Sequence, residues 1–442
     1  MRNGSYETNE VALAMPKGEF LKCRHEKFNK GDKLMTTQLI TKRPSRIHLI
    51  VPISICCGAA LMFAQAQNQI PAKHGTQYRV SSLESLGGTS SAGNSINDRS
   101  WIAGYSRLTG DQVRHAALWR HRQHHSILDL GTLGGPNSSI TWNVKNTEGI
   151  IVGISQTADP EPLGEAWSSA AFYSGPNAVG FINLGFVLED RQMRALPNFP
   201  GGDNGFATGA NNLRQVVGWA ENDVHDPTCV SPQVLQFHPA VWELGPPDQI
   251  HDLPLIRGDT SGAATAINDN GQIVGISGIC DQAVGRHTAK HAVLWENGGV
   301  TDLGNLGALW WNTPTAINQQ GDIVGFAGVP NDPDGNFLQA FIWTVEGGMQ
   351  PLGFLPGDVH SEAYGINEGR QVVGLSCDAD GNCRAFIWEN GVMRDLNDLK
   401  QPGFTAHLET AKDINDKGEI TGRAIDANSV RTAYLAVPVR GH

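Results

Sequence analysis

The chain has 442 residues, of which 17 % are charged and 52 are glycine, and its formal net charge is −11. Such acidity argues against a nucleic-acid partner, because binding a phosphate backbone needs a basic field. Few charges and many glycines suit a turn-rich β-protein better than a helical one.

Residues 1–34 are mostly polar and patternless, an upstream extension rather than part of the fold. Lys42, Arg43 and Arg46 then form a basic flank, residues 47–63 an apolar run, and Ala64-Gln65-Ala66 a small-x-small cleavage pattern. Together they read as a signal peptide over 35–66. Pro52, Cys56, Cys57 and Gly58 break the run too often for a permanent anchor. No second long apolar run follows, so the mature protein is expected without a membrane span, in the periplasm or outside the cell. Residues 67–77 read as a linker, 78–437 as the folded repeats and 438–442 as a tail. Losing the leader removes Cys23, Cys56 and Cys57, which leaves Cys229, Cys280, Cys377 and Cys383. Four cysteines in an oxidising compartment allow three pairings. Cys377 and Cys383 flank one hairpin connection, and Cys229 and Cys280 occupy the same loop class in adjacent repeats, so these are the expected disulfides.

Internal repetition decides the fold. The run Ile267-Asn268-Asp269-Asn270-Gly271-Gln272-Ile273-Val274-Gly275 has relatives along the chain, each with its Asn and final Gly at the same spacing: Asn97/Gly104, Asn146/Gly153, Asn211/Gly218, Asn318/Gly325, Asn367/Gly374 and Asn415/Gly422. Asn-Asp-x-Gly suits a tight turn whose last residue is left-handed, a conformation glycine takes without steric cost. Ser100, Arg214 and Arg370 replace that glycine in three copies, with Gly369 positioned to rescue the last by a one-residue shift. Small residues precede the turn and a Val-Gly strand follows. A small–apolar–apolar–aromatic strand comes next, as at Ala116-Ala117-Leu118-Trp119 and Ala292-Val293-Leu294-Trp295. A Leu-x-x-Leu segment, as at Leu303 and Leu306, reads as the fourth strand. Four short strands in about 50 residues make one propeller blade.

The last copy stops at Tyr434-Leu435-Ala436-Val437 without its fourth strand, and a matching segment, residues 78–88, precedes the first hairpin. A ring closes if that segment completes the last blade and leaves no open edge. The expected fold is therefore all-β, a seven-bladed β-propeller with four strands per blade.

These residues resemble the HAF family of exported bacterial repeat proteins, built from His-Ala-Phe-like, Ile-Asn-Asp-x-Gly-x-Ile-Val-Gly and Asp-Leu-Gly-Thr-Leu-Gly-Gly segments. His291-Ala292-Val293-Leu294-Trp295, residues 267–275 and residues 129–135 are near matches, and the resemblance spans roughly 78–437. It implies a repeat architecture and export, and brings no catalytic residue set. The second copy departs most, with Lys145 before its Asn.

Candidate chemistry is sparse. Asp332, Asp334 and Asn336, and again Asp378, Asp380 and Asn382, share a D-x-D-G-N pattern whose oxygens suit Ca²⁺. No Glu completes an EF-hand loop, and Asp-Gly is also a plain hairpin turn. No other cofactor is called for. His115, His121, His124 and His125 cluster around the first Trp strand, in what reads as a solvated turn. Arg257-Gly258-Asp259 matches an adhesion tripeptide but recurs as Gly-Asp in other repeats.

Connections between second and third strands vary widely in length, and those between fourth and first strands carry Trp142, Trp310 and Trp311. In a four-stranded meander both sets share one face, and loops on a rigid scaffold are where function concentrates. These tryptophans are the ligand candidates, with at least one of the adjacent pair expected to stay accessible. The leading expectation is a monomeric, non-catalytic binding propeller that recognises a glycan or an envelope protein. An extracellular polysaccharide hydrolase or lyase is the alternative, and a structural envelope component the third. If the leader reading holds, intact mass of the exported protein will place the mature N-terminus at or near Gln67; retention of residues 35–60 defeats it.

Overall fold

The computed structural model of the chain describes residues 75–120, 126–166, 172–173, 177–189, 192–281, 285–330, 332 and 335–439. The leader, the upstream extension and most of the linker lie outside them. Strand β1 (Gln77–Ser82) comes first. The first repeat then forms β2 (Gly87–Ile96), β3 (Trp101–Leu108), β4 (Arg114–Arg120) and β5 (Ile127–Asp129). The second forms β6 (Gly134–Ser139), β7 (Ile151–Pro160), β8 (Phe181–Glu189) and β9 (Gln192–Ala195). The third forms β10 (Gly205–Ala210), β11 (Gln215–His225), β12 (Leu235–Glu243) and β13 (Gln249–Asp252). The fourth forms β14 (Ser261–Ile267), β15 (Ile273–Gly278), β16 (His291–Glu296) and β17 (Gly299–Asp302). The fifth forms β18 (Thr313–Ile317), β19 (Ile323–Gly328), β20 (Leu338–Thr344) and β21 (Gly348–Pro351). The sixth forms β22 (His360–Ile366), β23 (Val372–Cys377), β24 (Cys383–Glu389) and β25 (Val392–Asp395). The last has β26 (His407–Ile414), β27 (Ile420–Ile425) and β28 (Arg431–Val439).

Within each repeat the strands pair in chain order as an antiparallel meander. The last repeat is completed by β1, which lies antiparallel on β28 with Gln77 opposite Val439 and Ser82 opposite Tyr434. Strand β28 also meets β2 at a single parallel bridge, Ser90 with Arg431. The N-terminal segment thus fills the vacant edge, as its sequence implies.

The repeated Asn explains how one sheet is set against the next. Its Oδ1 accepts backbone N–H groups of its own turn, as Asn268 does from Asn270 (3.1 Å) and Gln272 (3.0 Å). Its Nδ2 donates to a backbone carbonyl of the following repeat. Asn97 reaches Asn146 O, Asn146 reaches Ala210 O, Asn211 reaches Asn268 O, and Asn268 reaches Asn318 O. Asn318 continues to Asn367 O, Asn367 to Asn415 O, and Asn415 returns to Asn97 O at 3.0 Å. All seven Asn are buried. The left-handed turn residue sits at Arg370 itself (φ 56°), as at Ser100 and Arg214, so Gly369 does not substitute for it. Arg370 N–H closes the turn onto Asn367 O, which fixes that register.

The aromatic strand also bridges repeats. Trp119 Nε1 donates to Glu84 O, Trp242 Nε1 to Pro197 O and Trp295 Nε1 to Pro254 O. Residues Pro197 and Pro254 lie in the Leu-x-x-Leu segments of the preceding repeats, and Glu84 is their counterpart after β1. Those segments are not strands, contrary to the sequence reading. The fourth strand is the stretch before them, ending at Asp129, Ala195, Asp252, Asp302, Pro351 and Asp395. The first Leu still makes a ladder-like bond, Leu303 N–H to Ala292 O and Leu352 N–H to Ala340 O, before the chain turns away. In the sixth repeat the segment is a single helical turn, Leu396–Leu399.

Replacing Asn268 by Ala removes four hydrogen bonds, among them the buried one to the Asn318 carbonyl of the next repeat. A loss of about 3 kcal/mol is expected, read by urea denaturation. Asn268→Asp retains the turn acceptor and should lose about half of that; equal losses contradict the two-sided role.

Candidate functional site

Each first strand except β6 has a bulge at the residue three before the Asn, namely Asn94, Thr208, Thr265, Thr315, Tyr364 and Lys412, and β2 and β26 have a second irregularity nearer their starts. Asn143 is the counterpart in the second repeat. The bulge residue is left out of the ladder, and its side chain is polar in every copy. Thr208 Oγ1 donates to Ala264 O and Thr315 Oγ1 to Ala363 O, each in the next repeat. Sequence reading saw only small residues here; a polar residue at one offset in all seven copies is the signal it passed over.

The second repeat breaks the pattern by length. Ser91 and Ser361 lie six positions before their Asn, whereas Ser138, which makes the same bond to the third strand, lies eight before Asn146. The additional residues leave 140–150 without strand pairing and send them across to distant repeats. Asn143 Nδ2 donates to Tyr364 O at 2.7 Å. Lys145 Nζ pairs with Asp413 Oδ1 at 2.6 Å and bonds Ile414 O. Asp413 is fully buried and also accepts the N–H groups of Ile96 and Ile414. Burial raises its carboxyl above the ordinary range, against the pull of Lys145 and those N–H groups. The departure at Lys145 is therefore a tie across the interior.

What remains between this segment and the first strands is a small cavity lined by Trp142, Asn143, Phe172, Phe326, Tyr364 and Lys412, among others. Lys412 Nζ lies 3.5 Å from the centre of the Tyr364 ring, a cation–π contact. Tyr364 OH donates to Glu362 Oε2 at 2.6 Å, and burial with the adjacent carboxylate pushes the phenol well above its usual range. His360 Nδ1 accepts the Leu338 N–H, so its proton lies on Nε2, which donates to Glu362 Oε1 at 2.8 Å. Both oxygens of Glu362 are thereby engaged.

The tryptophan candidates separate. Trp142 is half-buried in the cavity wall. Trp310 is half-buried on the Gly328 backbone, where an added Cβ would come within 2.7 Å of the indole, and the Arg286 guanidinium lies 5.4 Å from its ring centre. Trp311 is 3 % exposed and belongs to the core. Its left-handed backbone (φ 56°) turns it inward, so Trp311 is no surface contact for a ligand, which corrects its place among the candidates.

Both expected disulfides are present, Cys229–Cys280 and Cys377–Cys383. The first joins the β11–β12 and β15–β16 connections, and backbone bonds between Val230 and Asp281 and between Asp281 and Thr228 reinforce it. In the Asp378 loop the carboxylate caps its own turn, accepting from Asp380 N–H, Asn382 N–H and Asn382 Nδ2. These bonds, that of Asn382 first, hold it below the usual carboxylate range. Asp332 likewise accepts the Phe337 N–H; Asp334 lies outside the described residues. Among the described residues no three His, Cys, Asp or Glu converge on a metal position. His115 pairs with Asp129 at 2.8 Å, repeated by His238 with Asp252 and His291 with Asp302, whereas His121, His124 and His125 fall outside the described residues. The carboxylate of Asp259 in the adhesion-like tripeptide is buried and takes a bond from Ser277 Oγ.

Exposed apolar side chains gather on the face of the long connections. Leu163, Val179, Val230, Leu309, Phe337 and Val359 lie in second-to-third or fourth-to-first connections, and Val224 at the protruding end of β11. On the hairpin face Leu213, Val345 and Val392 are the comparable residues, with Leu128 on an outer strand. Both disulfides brace the first of these faces.

No family model matches the chain, and no curated protein matches it. Among solved structures it is similar to virginiamycin B lyase from Staphylococcus aureus, at 9 % identity and a TM-score of 0.46 over 82 % of this chain and 100 % of that one. It is similar to TolB from Acinetobacter baumannii, at 9 % identity and a TM-score of 0.37 over 77 % and 81 %. It is also similar to Trypanosoma rangeli sialidase in complex with the inhibitor DANA, at 11 % identity and a TM-score of 0.38 over 75 % and 58 %.

Replacing Lys145 by Met leaves Asp413 buried without its cation, and a loss of about 3 kcal/mol is expected. Chemical denaturation measures it; a change under about 0.5 kcal/mol, the size of an ordinary surface substitution, contradicts the tie.

Proposed function

We propose that this chain is an exported, seven-bladed β-propeller of the HAF-repeat kind, closed by its N-terminal strand, that works as an interaction module. Its partner is a component of the cell envelope, and it docks on the face of the long connections. Closure is supported by the bonds from Asn415 to Asn97 and from Leu83 N–H to Ala433 O. Export is supported by the disulfides, which persist in oxidising compartments, and by the leader-like residues 35–66. Among the described residues no helix is long and apolar enough to cross a membrane. A monomer fits a fold that completes its own last sheet.

One observation carries the functional reading: among the described residues seven exposed large apolar side chains lie on the disulfide-braced face, against three on the hairpin face. Apolar surface held on a rigid frame marks contact sites. Leu, Val and Phe there, with Trp311 turned inward, favour a protein surface over the stacked sugar ring of a glycan. The enzyme alternative draws on His360–Glu362–Tyr364, a hydrogen-bonded run beside the cavity, and predicts polysaccharide cleavage that His360→Ala abolishes.

The test pairs an envelope-extract pull-down with a glycan array. A specific protein should be retained by the wild type, lost with Leu309→Asp/Phe337→Asp, and kept with Val345→Asp on the opposite face. Retention by the double variant at unchanged melting temperature, or strong array signals with no protein captured, overturns the reading.

A further inference from the structure

Glu165, in the β7–β8 connection, and Glu221, at the protruding end of β11, are 2 % and 0 % exposed. They share a donor: Asn204 Nδ2 lies 2.9 Å from Glu221 Oε2 and 3.4 Å from Glu165 Oε2. Glu165 Oε1 accepts the N–H groups of Val234 (2.6 Å) and Leu235 (2.7 Å), which ties the β7–β8 connection to the start of β12. Glu221 accepts Asn204 N–H and Gln233 Nε2. The titratable groups facing the pair are also acidic. Glu161 Oε2 accepts the Glu165 N–H, and Asp226, in the β11–β12 connection, takes bonds from Thr228 and Gln236. Asn204 and Gln233 contribute only neutral amides, and among the described residues no Lys, Arg or His pairs with either glutamate.

We propose that Glu165 and Glu221 form an acid-held clasp, with a proton kept on Glu221, that fixes the β7–β8 connection against the β11–β12 connection and releases it as pH rises. Two buried carboxyl groups on one amide cannot both ionise without a cation, and burial followed by the neighbouring Glu165 raises Glu221 well above the ordinary carboxyl range. The sign follows. The folded pair keeps a proton that the unfolded chain gives up above about pH 4.3, so stabilisation is full below that value and declines as pH climbs through the raised folded pKa. The segments it joins carry Leu163 and Val230. Resting on the docking face proposed above, the clasp makes that face ordered in acid and loose in alkali.

Hydrogen exchange from pH 5 to 9, corrected for intrinsic chemistry, tests the clasp whether or not a partner is found. In the wild type the opening of residues 161–166 and 233–235 should rise by up to about tenfold per pH unit between the ordinary carboxyl range and the raised folded pKa, the slope of one proton released, and level off above it. The β14–β15 hairpin should not change. Glu221→Gln, which mimics the protonated form, should abolish the rise, and so should Glu165→Gln. A flat wild-type profile, equal slopes in wild type and both variants, or protection restored at high pH by millimolar calcium overturns the proposal; the last makes the pair a cation site.

Discussion

A primary amide buried between two repeats does the work on which the architecture rests. In one direction its carbonyl oxygen gathers the N–H groups of a tight turn. In the other its amino group satisfies a carbonyl in the neighbouring sheet. Asp lacks the donor, Gln sets the amide one methylene farther out, and Ser is too short to meet both sides. Buried polar groups demand such partners, so each repeat is complete only beside another. The circuit runs Asn97, Asn146, Asn211, Asn268, Asn318, Asn367, Asn415 and back to Asn97. It fixes the hairpin ends of the sheets; at the opposite ends, where loop lengths vary, the ties are particular to individual repeats, as at Cys229–Cys280.

The interior is governed by a second recurrence, the bulge three residues before the Asn in six of the seven first strands. Small residues on either side let the sheets approach, while the bulge residue supplies a polar group, which at Asn94, Thr208 and Thr315 bonds the next repeat. Where the copies keep Thr the arrangement is modest and repetitive. Where they diverge, at Asn143, Tyr364 and Lys412, the interior gains an individual character, and the longer second repeat lays Lys145 against Asp413. Variation is thus confined to a few copies on an otherwise regular frame.

Much of the fold was legible in the sequence because it rests on local turn chemistry repeated often enough to be recognised. The hairpins, the displaced N-terminal strand and both disulfides followed from spacing alone. The Leu-x-x-Leu segments were misassigned because their first residue still bonds like a strand residue before the chain leaves the sheet. Trp311 was misjudged because its burial depends on a left-handed backbone that no adjacent residue announces. Tyr364 and Lys412 went unnoticed because a bulge takes them out of the ladder among small neighbours, and Asn143 because its segment leaves the sheet. Glu165 and Glu221 meet only through Asn204, and nothing local to either residue marks the encounter.

The pairing of β1 with β28 bears on how the chain acquires its fold during synthesis. Every other sheet is made of consecutive strands and can form as soon as its own segment emerges. Strand β1 leaves the ribosome first and must wait for Tyr434 to Val439, the strand it lies against. Contacts of such long sequence separation are slow to form. Assembly is therefore local and sequential until the final sheet, which joins the two ends of the described fold in one late step.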